Sequence, residues 1–422
     1  MNKKPIRVLL VEDSPVAIII LKRILNSSPD IEVVGTARTG VEGLKMIPLV
    51  QPHVICTDLH MPQMNGLEFT EQVMSNCPKP ILVISASVQP ENKENVFELL
   101  AAGAIDVFPK PRAGINADYE SIKQELITKV RVLSGVSVFT LRRKRNISPI
   151  QTPATPVKPV PISTENKSFS PENKSFLPKL ITTVNPTVTP TVTPTVTPTV
   201  TPTVTPTATP TRPKQISVTP SSKDDRSTFL TQRYRIVTIG ASTGGPQALQ
   251  TILGQLPAKF PVPVVCVQHI SQGFLQGLVD WLGRECHLPV KIAPFGEVPQ
   301  PGHIYFSPEG KHLELDQCGR FIYSSTEPYS GHRPSVTVTF NSFAKYYGRS
   351  TVGVLLTGMG RDGADGMLTI AQAGGLTIAQ NEESCVVFGM PKEAIALGAA
   401  THILPVKDIS PLLVNRLFFN YF

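Results

Sequence analysis

The 422-residue chain has six cysteines and no CxxC pair among them; Cys56, Cys77, Cys266, Cys286, Cys318 and Cys385 stand far apart. That spacing excludes a disulfide scaffold and a zinc ribbon, and it leaves free, mostly buried thiols in a reducing compartment as the simplest expectation. Long hydrophobic runs are missing too. No stretch approaches the roughly 18 apolar residues that a membrane span needs, and the apolar run after Pro5 ends at Glu12 and Asp13, too early for a secretory signal. A soluble cytoplasmic protein without membrane insertion is expected. Neither a helix-turn-helix nor a basic recognition helix is evident. The net charge of +8 is dense only at Arg142, Arg143, Lys144 and Arg145, which reads first as a solvated flank of a linker and otherwise as a patch for an acidic protein surface or DNA. No nucleic-acid partner is expected.

What is present is a repeated alternation. Hydrophobic residues make up 41% of the chain, enough for real cores. Apolar, β-branched runs at 6–11, 31–37, 54–57, 81–85 and 105–108 are separated by amphipathic stretches at 16–26, 40–49, 67–76 and 92–102, with another at 119–133. The same alternation resumes with apolar runs at 236–239, 262–267, 303–306, 351–356, 376–379 and 402–404. Two α/β domains follow, each a doubly wound parallel sheet covered by helices on both faces. Their expected extents are 1–135 and 232–422.

Between them, residues 136–231 behave differently. Sixteen of the 41 prolines lie from Pro149 to Pro220, and residues 187–210 read TVTP five times and TATP once. Proline at every fourth position excludes helix and central strand, so a long, disordered, extended Pro/Thr-rich linker is expected; a modified stalk or a docking site for proline-binding modules is the alternative, and nothing in the sequence selects it.

In open parallel sheets, sites form beyond the carboxyl ends of strands. Glu12 and Asp13 stand just past the first run and Asp58 just past the third. Converging carboxylates repel one another, and a hard divalent cation such as Mg²⁺ removes that penalty. Ser85 ends the fourth run and Lys110 follows the fifth; a hydroxyl and an ammonium there would stabilise phosphoryl oxygens on one carboxylate. Asp13, before Ser14 and Pro15, could instead cap a helix. Through VEDS (11–14), TDLHMPQMNG (57–66), ISAS (84–87) and FPKP (108–111), residues 1–133 resemble a response-regulator receiver domain of the flavodoxin-like type. The resemblance implies Asp58 as phosphoacceptor, with a chemotaxis histidine kinase as phosphodonor. It also implies Mg²⁺ on Asp13, Asp58 and the backbone carbonyl of His60 with Glu12 nearby, Ser85 as switch hydroxyl and Lys110 as phosphate partner. Val107 departs from the pattern, since many receivers carry an aromatic three residues before the lysine.

In the second domain a strand runs into Gly240-Ala241-Ser242-Thr243-Gly244-Gly245 and then a helix from about Pro246. The motif fits a nucleophile elbow, G-x-S-x-G, that exposes the Ser242 hydroxyl. It also fits a dinucleotide loop whose middle glycine is replaced by serine, or a purely structural turn. A serine nucleophile needs a base and an orienting acid. His269 follows the run 262–267 directly, a placement with a glycine-containing loop after it that the other candidates, His287, His303, His312, His332 and His402, lack; Asp362 lies beyond the run 351–356, with Asp365 as its competitor or a helix cap. The order Ser, His, Asp differs from that of α/β-hydrolases and points to a different fold carrying a convergent triad; the doubly wound sheet expected for this domain is Rossmann-like.

IGASTGG (239–245), QHI (268–270), GHRPSV (331–336), LLTGMGRDGADGM (355–367) and AQNEESCVVFGMP (379–391) resemble the protein-glutamate methylesterase domain of bacterial chemotaxis. The resemblance implies Ser242 as nucleophile, His269 as general base, Asp362 as its orienter and backbone amides near Met359 in an oxyanion hole, with no cofactor in this domain. It implies hydrolysis of glutamate methyl esters, and deamidation of glutamines, on methyl-accepting chemotaxis receptors; a monomer is the separate expectation, with the oligomeric state left open by the residues. The unphosphorylated receiver would cover the esterase cleft. The linker, longer than in most relatives, should make that inhibition leaky.

Overall fold

The computed structural model describes residues 4–85, 93–111, 119–138 and 234–418. Apart from 136–138, the expected linker lies outside them.

The receiver half is built from β1 (Ile6–Val11), α1 (Pro15–Asn26), β2 (Ile31–Ala37), α2 (Gly40–Val50), β3 (Val54–Thr57), α3 (Gly66–Asn76), β4 (Ile81–Ser85), α4 (Lys93–Ala101), β5 (Asp106–Pro109) and α5 (Tyr119–Leu133). The strands form one sheet of order β2-β1-β3-β4-β5 with all pairings parallel. Central strands buried on both faces read as near-continuous apolar runs, and β1, β3 and β4 do, apart from Arg7 near the start of β1 and Thr57 and Ser85 at the ends of β3 and β4. Their side chains divide between two apolar clusters, with Leu9, Ile55 and Val83 on one face and Leu10, Cys56 and Leu82 on the other. Helix starts are set by local chemistry. Ser14 caps α1, Thr39 caps α2, and Asn65 with Glu68 closes a capping box on α3. Asp13 is therefore not the cap of α1, which leaves its carboxylate for other work.

The second half contains β6 (Ile236–Ala241), α6 (Gly245–Leu253), β7 (Val264–Gln268), α7 (Leu275–Glu285), β8 (Val290–Ile292), β9 (Ile304–Phe306), β10 (His312–Leu315) and β11 (Phe321–Ser324). It continues with α8 (Val336–Tyr347), β12 (Thr351–Leu355), α9 (Ala364–Gln372), β13 (Leu376–Gln380), α10 (Met390–Ala396), β14 (His402–Leu404) and α11 (Val406–Phe418). Seven strands pair in parallel in the order β14-β13-β12-β6-β7-β9-β8. From β6 the chain first works outward through β7 and then crosses back to β12 on the other side. The switch point of this doubly wound sheet thus lies at β6, where such folds place their sites. The antiparallel hairpin β10–β11 and the short β8 were not expected. The hairpin turn is held by Asp316, whose carboxylate accepts from the Cys318 and Arg320 amides.

The two halves share one apolar cluster that includes Leu99 and Leu100 of α4 and Leu278 of α7. Phe97 and Trp281 stack across the contact with centroids 5.8 Å apart. No helix among the described residues is long and apolar enough to cross a membrane. The thiols are free; Cys56 and Cys266 are buried, Cys318 is exposed and the other three lie between, so burial is less general than expected.

Candidate active site and phosphoacceptor pocket

At the carboxyl edge of the receiver sheet, Glu12, Asp13 and Asp58 place oxygens within 4.8 Å of one another, an arrangement that can hold a metal ion. Glu12 and Asp58 are buried and Asp13 is exposed. Lys110 reaches across from the end of β5 to Asp58 Oδ2 at 2.7 Å and Glu12 Oε1 at 2.9 Å. Its main-chain N–H also donates to the Ser85 carbonyl at 2.7 Å, which sets the lysine beside the serine. Burial opposes the Lys110 charge, but the hydrogen bonds and charges of Asp58 and Glu12 outweigh it and raise its pKa. Burial and the neighbouring Asp58 push the Glu12 carboxyl upward. Its second oxygen, Oε2, is buried without a hydrogen-bond partner. An orphaned carboxylate oxygen in an acidic cluster is what a hard cation satisfies. His60 lies two residues past Asp58 with an exposed side chain, and Val107, in the expected aromatic position, is buried in the sheet.

Ser242, His269 and Asp362 follow three adjacent strands. β7 and β12 flank β6 to its very end, because His269 N–H donates to Ala241 O, Leu356 N–H to Gly240 O and Ser242 N–H to Thr357 O. Ser242 and His269 line one cavity of about 540 Å³ with Thr243, His332 and Met359. His269 Nε2 lies 2.9 Å from Asp362 Oδ2. Asp362 is 1% exposed, and its remaining lone pairs are taken by the Val336 and Thr337 amides and the Ser335 hydroxyl at 2.7–3.0 Å. These donors belong to the N-terminus of α8, a natural anion site. Burial alone would raise the Asp362 pKa; the His269 bond, reinforced by the Ser335 and Thr337 donors, instead holds it well below the usual carboxylate range. The carboxylate therefore stays ionised and accepts a proton-bearing Nε2. The lone pair of the neutral ring is then on Nδ1, which is buried with no hydrogen-bond partner. This reverses the serine-protease template, in which the acid holds Nδ1. With Nε2 engaged by Asp362, no hydrogen bond joins Ser242 to His269 in this state.

The glycine turn resolves the competing readings of the motif. The left-handed residue is Gly244, φ +75°, rather than Ser242, so this is not a strained nucleophile elbow. A Cβ on Gly244 would lie 2.6 Å from Val386, and one on Gly245 would lie 2.1 Å from Gln268 Oε1. The close approach that these glycines serve is to protein atoms, and not to a pyrophosphate. Asp365 lies in the first turn of α9 and pairs with Arg361 at 2.6 Å; it is neither the partner of His269 nor the cap, which is Gly363. Met359 lies on the loop after β12, held where Gly358 exchanges hydrogen bonds with Val387, Gly389 and Met390.

Several functional contacts were not read from the residues. Gln268 ties the Ser242 and His269 carbonyls together at 2.8 Å each. Ser335 both caps α8 and donates to Asp362. His332 stacks on His269 with ring centroids 3.9 Å apart. Receiver groups also reach the site. Lys129 of α5 lines the cavity and pairs with Asp106 at 2.6 Å. Asp106 in turn accepts from the Thr243 hydroxyl at 3.2 Å, and Gln247 donates to the Ala104 carbonyl at 2.6 Å. The quoted sequence runs contained Gln268, His332 and Ser335, but only the folded chain shows what they touch.

A family profile described as response regulator receiver domain matches residues 8–116, and one described as CheB methylesterase matches residues 237–413. The molecule is thus of the class that joins a receiver to a methylesterase domain. The chain is 37% identical over 410 residues to the protein-glutamate methylesterase/protein-glutamine glutaminase of Nitrosospira multiformis, spanning 97% of this chain and 96% of that one. It is 36% identical over 410 residues to the corresponding protein 1 of Syntrophus aciditrophicus, spanning 97% and 98%. A crystal structure of the Thermotoga maritima CheB methylesterase catalytic domain is 41% identical, covers 43% of this chain and 98% of that one, and has a TM-score of 0.42. The chain belongs to the protein-glutamate methylesterase/protein-glutamine glutaminase family.

Proposed function

We propose that Ser242, His269 and Asp362 are the acyl-transfer centre of this methylesterase and that Asp58 is the phosphoacceptor through which the receiver controls it. The chain is a protein-glutamate methylesterase/protein-glutamine glutaminase with a receiver domain, fitted for phosphorylation-regulated adaptation in chemotaxis. The observation that carries the residue assignment is the Asp362–His269 bond at 2.9 Å on the cavity that Ser242 lines.

In this reading Ser242 Oγ rotates toward His269 Nδ1, gives up its proton and attacks a γ-glutamyl methyl ester on a receptor helix. The Met359 amide and the N-terminus of α6 face the developing oxyanion. The imidazolium returns the proton to the departing methoxide, which leaves as methanol. Water, deprotonated by the same imidazole, then hydrolyses the acyl-enzyme to a carboxylate. With a glutamine side chain the same steps release ammonia. Asp362 orients the ring and stabilises its charged form without taking the proton.

In the receiver, Asp13, Asp58 and the His60 carbonyl would hold Mg²⁺ with Glu12 nearby, and the ion would supply charge neutralisation to phosphoryl oxygens. Lys110 and Ser85 would bind those oxygens on Asp58, the donor being a chemotaxis kinase. The domain limits follow the sequence reading: receiver 1–135, linker 136–231, catalytic domain 232–422. Methyl-accepting receptors as substrate and a kinase as donor accord with a cytoplasmic monomer. The test is methanol release from methylated receptor by the intact chain with a phosphodonor. Ser242→Ala should lower it by about 10⁴-fold or more; turnover near that of the parent protein rejects the assignment.

A further inference from the structure

We infer that His332 is a positioning residue for the general base: its imidazole, stacked face to face on His269, fixes the plane of that ring. The inference rests on the reading of His269 as the base. Asp362 holds His269 at one point, Nε2. A single hydrogen bond leaves the ring free to turn about the bond axis, and that turn sweeps Nδ1 past the nucleophile. A second constraint is needed, and it must act on the face of the ring.

His332 supplies it. The two rings are 3.9 Å apart at their centroids and only 8° from parallel, closer than the roughly 4.5–7 Å of ordinary aromatic pairs. His332 is itself held. Residues Tyr329 and His332 exchange two backbone hydrogen bonds of 3.0 and 3.1 Å, and the Arg333 guanidinium next to it donates to the Ser325 and Thr326 carbonyls. Three residues further on, Ser335 begins the amide cluster that grips Asp362. One short segment, 329–337, therefore fixes both the carboxylate and the plane of the ring that it orients.

The charge state fits this role. The groups that face His332 are His269 behind it, Asp362 beyond, and Lys129 from α5. Burial first, then His269 and Lys129, against the opposing pull of Asp362, bring its pKa down to about 4. His332 is thus neutral when His269 takes the serine proton. A neutral ring face beside an imidazolium is attractive, whereas a second cation would repel it. The role requires a flat, uncharged ring and no proton of its own.

The experiment is the pH profile of kcat and KM for methanol release by the phosphodonor-activated intact chain. It compares the parent protein with His332→Ala, His332→Phe and His332→Leu, and with Ser242→Ala alongside. Loss of the stack should lower kcat by about 10–100-fold in the Ala and Leu variants, with KM within twofold, because a misplaced base loses rate and not binding. Phe, which restores a flat neutral ring, should recover kcat to within about threefold and keep the acid limb of the profile unchanged. The inference falls if Ala retains parental kcat, if the loss lies in KM, or if Phe is as poor as Leu. Should the Ala variant fail to fold, the Phe–Leu comparison decides alone. An active Ser242→Ala protein would instead overturn the triad reading on which the inference rests.

Discussion

Asp58 and Asp362 are both buried carboxylates beyond the carboxyl ends of parallel strands, one in each half of the molecule, and their surroundings differ in kind. Asp362 meets four donors, the His269 ring, two amides and a hydroxyl, and its pKa is held low. The receiver pocket has one ammonium for two buried carboxylates, an orphaned Glu12 oxygen and a Glu12 pKa pushed up. A satisfied carboxylate is a fixed part, and its energetic task is complete before substrate arrives. An under-satisfied cluster has a deficit that only binding can relieve, so it can respond. Asp58 itself accepts from the Leu59 amide and from Lys110, so the deficit in the receiver pocket lies at the Glu12 oxygen beside it, and among the described residues no such carboxylate oxygen adjoins Asp362.

If that contrast is right, the largest effect comes from disturbing the satisfied site. Asp362→Asn keeps the shape but turns an acceptor of four hydrogen bonds toward donors with an amide that is itself a donor. His269 would then lose its orientation and its tautomer. A fall in kcat of about 10⁴-fold is expected, measured by methanol release, with KM little changed. A loss below tenfold would mean that the ring is held mainly by other contacts.

The under-satisfied site should answer in the opposite sense. Glu12→Gln removes a carboxylate charge that burial and the neighbouring Asp58 disfavour more than its bond to Lys110 favours it, so the metal-free protein should become more stable at pH 7, by about 1 kcal/mol, in denaturant titration. Affinity for Mg²⁺ should fall by about tenfold. The pH dependence carries the signs. A raised carboxyl pKa means that the folded state takes up its proton first as pH drops, so the Glu12 contribution to stability grows as pH falls through the folded value and levels off below 4.5, the unfolded value. Asp362, with a lowered pKa, contributes stability above 3.8 that is lost as pH falls toward its folded value. Glu12→Gln should abolish the first trend and leave the second. Destabilisation by Glu12→Gln in metal-free buffer would break the comparison.

Much of this architecture could be read from periodicity, because fully buried parallel strands read as near-continuous apolar runs. β1, β2, β3 and β4 have the expected limits, and β5 is displaced by a single residue. Ser242 and His269 were legible because each follows its strand at once. Asp362 lies seven residues beyond Leu355, so adjacency to a strand could not separate it from Asp365; the amides of α8, remote in sequence, make that choice. Which nitrogen of His269 meets the acid, and the stack on it, depend on side-chain contacts across 63 and 93 positions that no local pattern encodes. The hairpin β10–β11 was missed for another reason. Its strands are four residues each, short for any alternation to stand out, although the turn Asp316-Gln317-Cys318-Gly319 is an ordinary hairpin signal.

The smallest effect concerns how the two halves are kept together. Residues 150–225 make up most of the sequence between them, and effective concentration falls as about the −3/2 power of linker length. Against that dilution stand the contacts across the halves: Phe97 on Trp281, Gln247 on Ala104, and Lys129 with Asp106 on Thr243, the residue next to Ser242. If the tether limits closure, removing 150–225 leaves about a fifth of the connection and should lower the basal esterase rate by up to about tenfold, measured without a phosphodonor. The activated rate should not move, because the released receiver no longer competes for the cleft. If the basal rate is unchanged, tether length does not set the basal closure equilibrium. A higher basal rate after the deletion would show that the long connection promotes closure, and the expectation of leaky inhibition would then have to be abandoned.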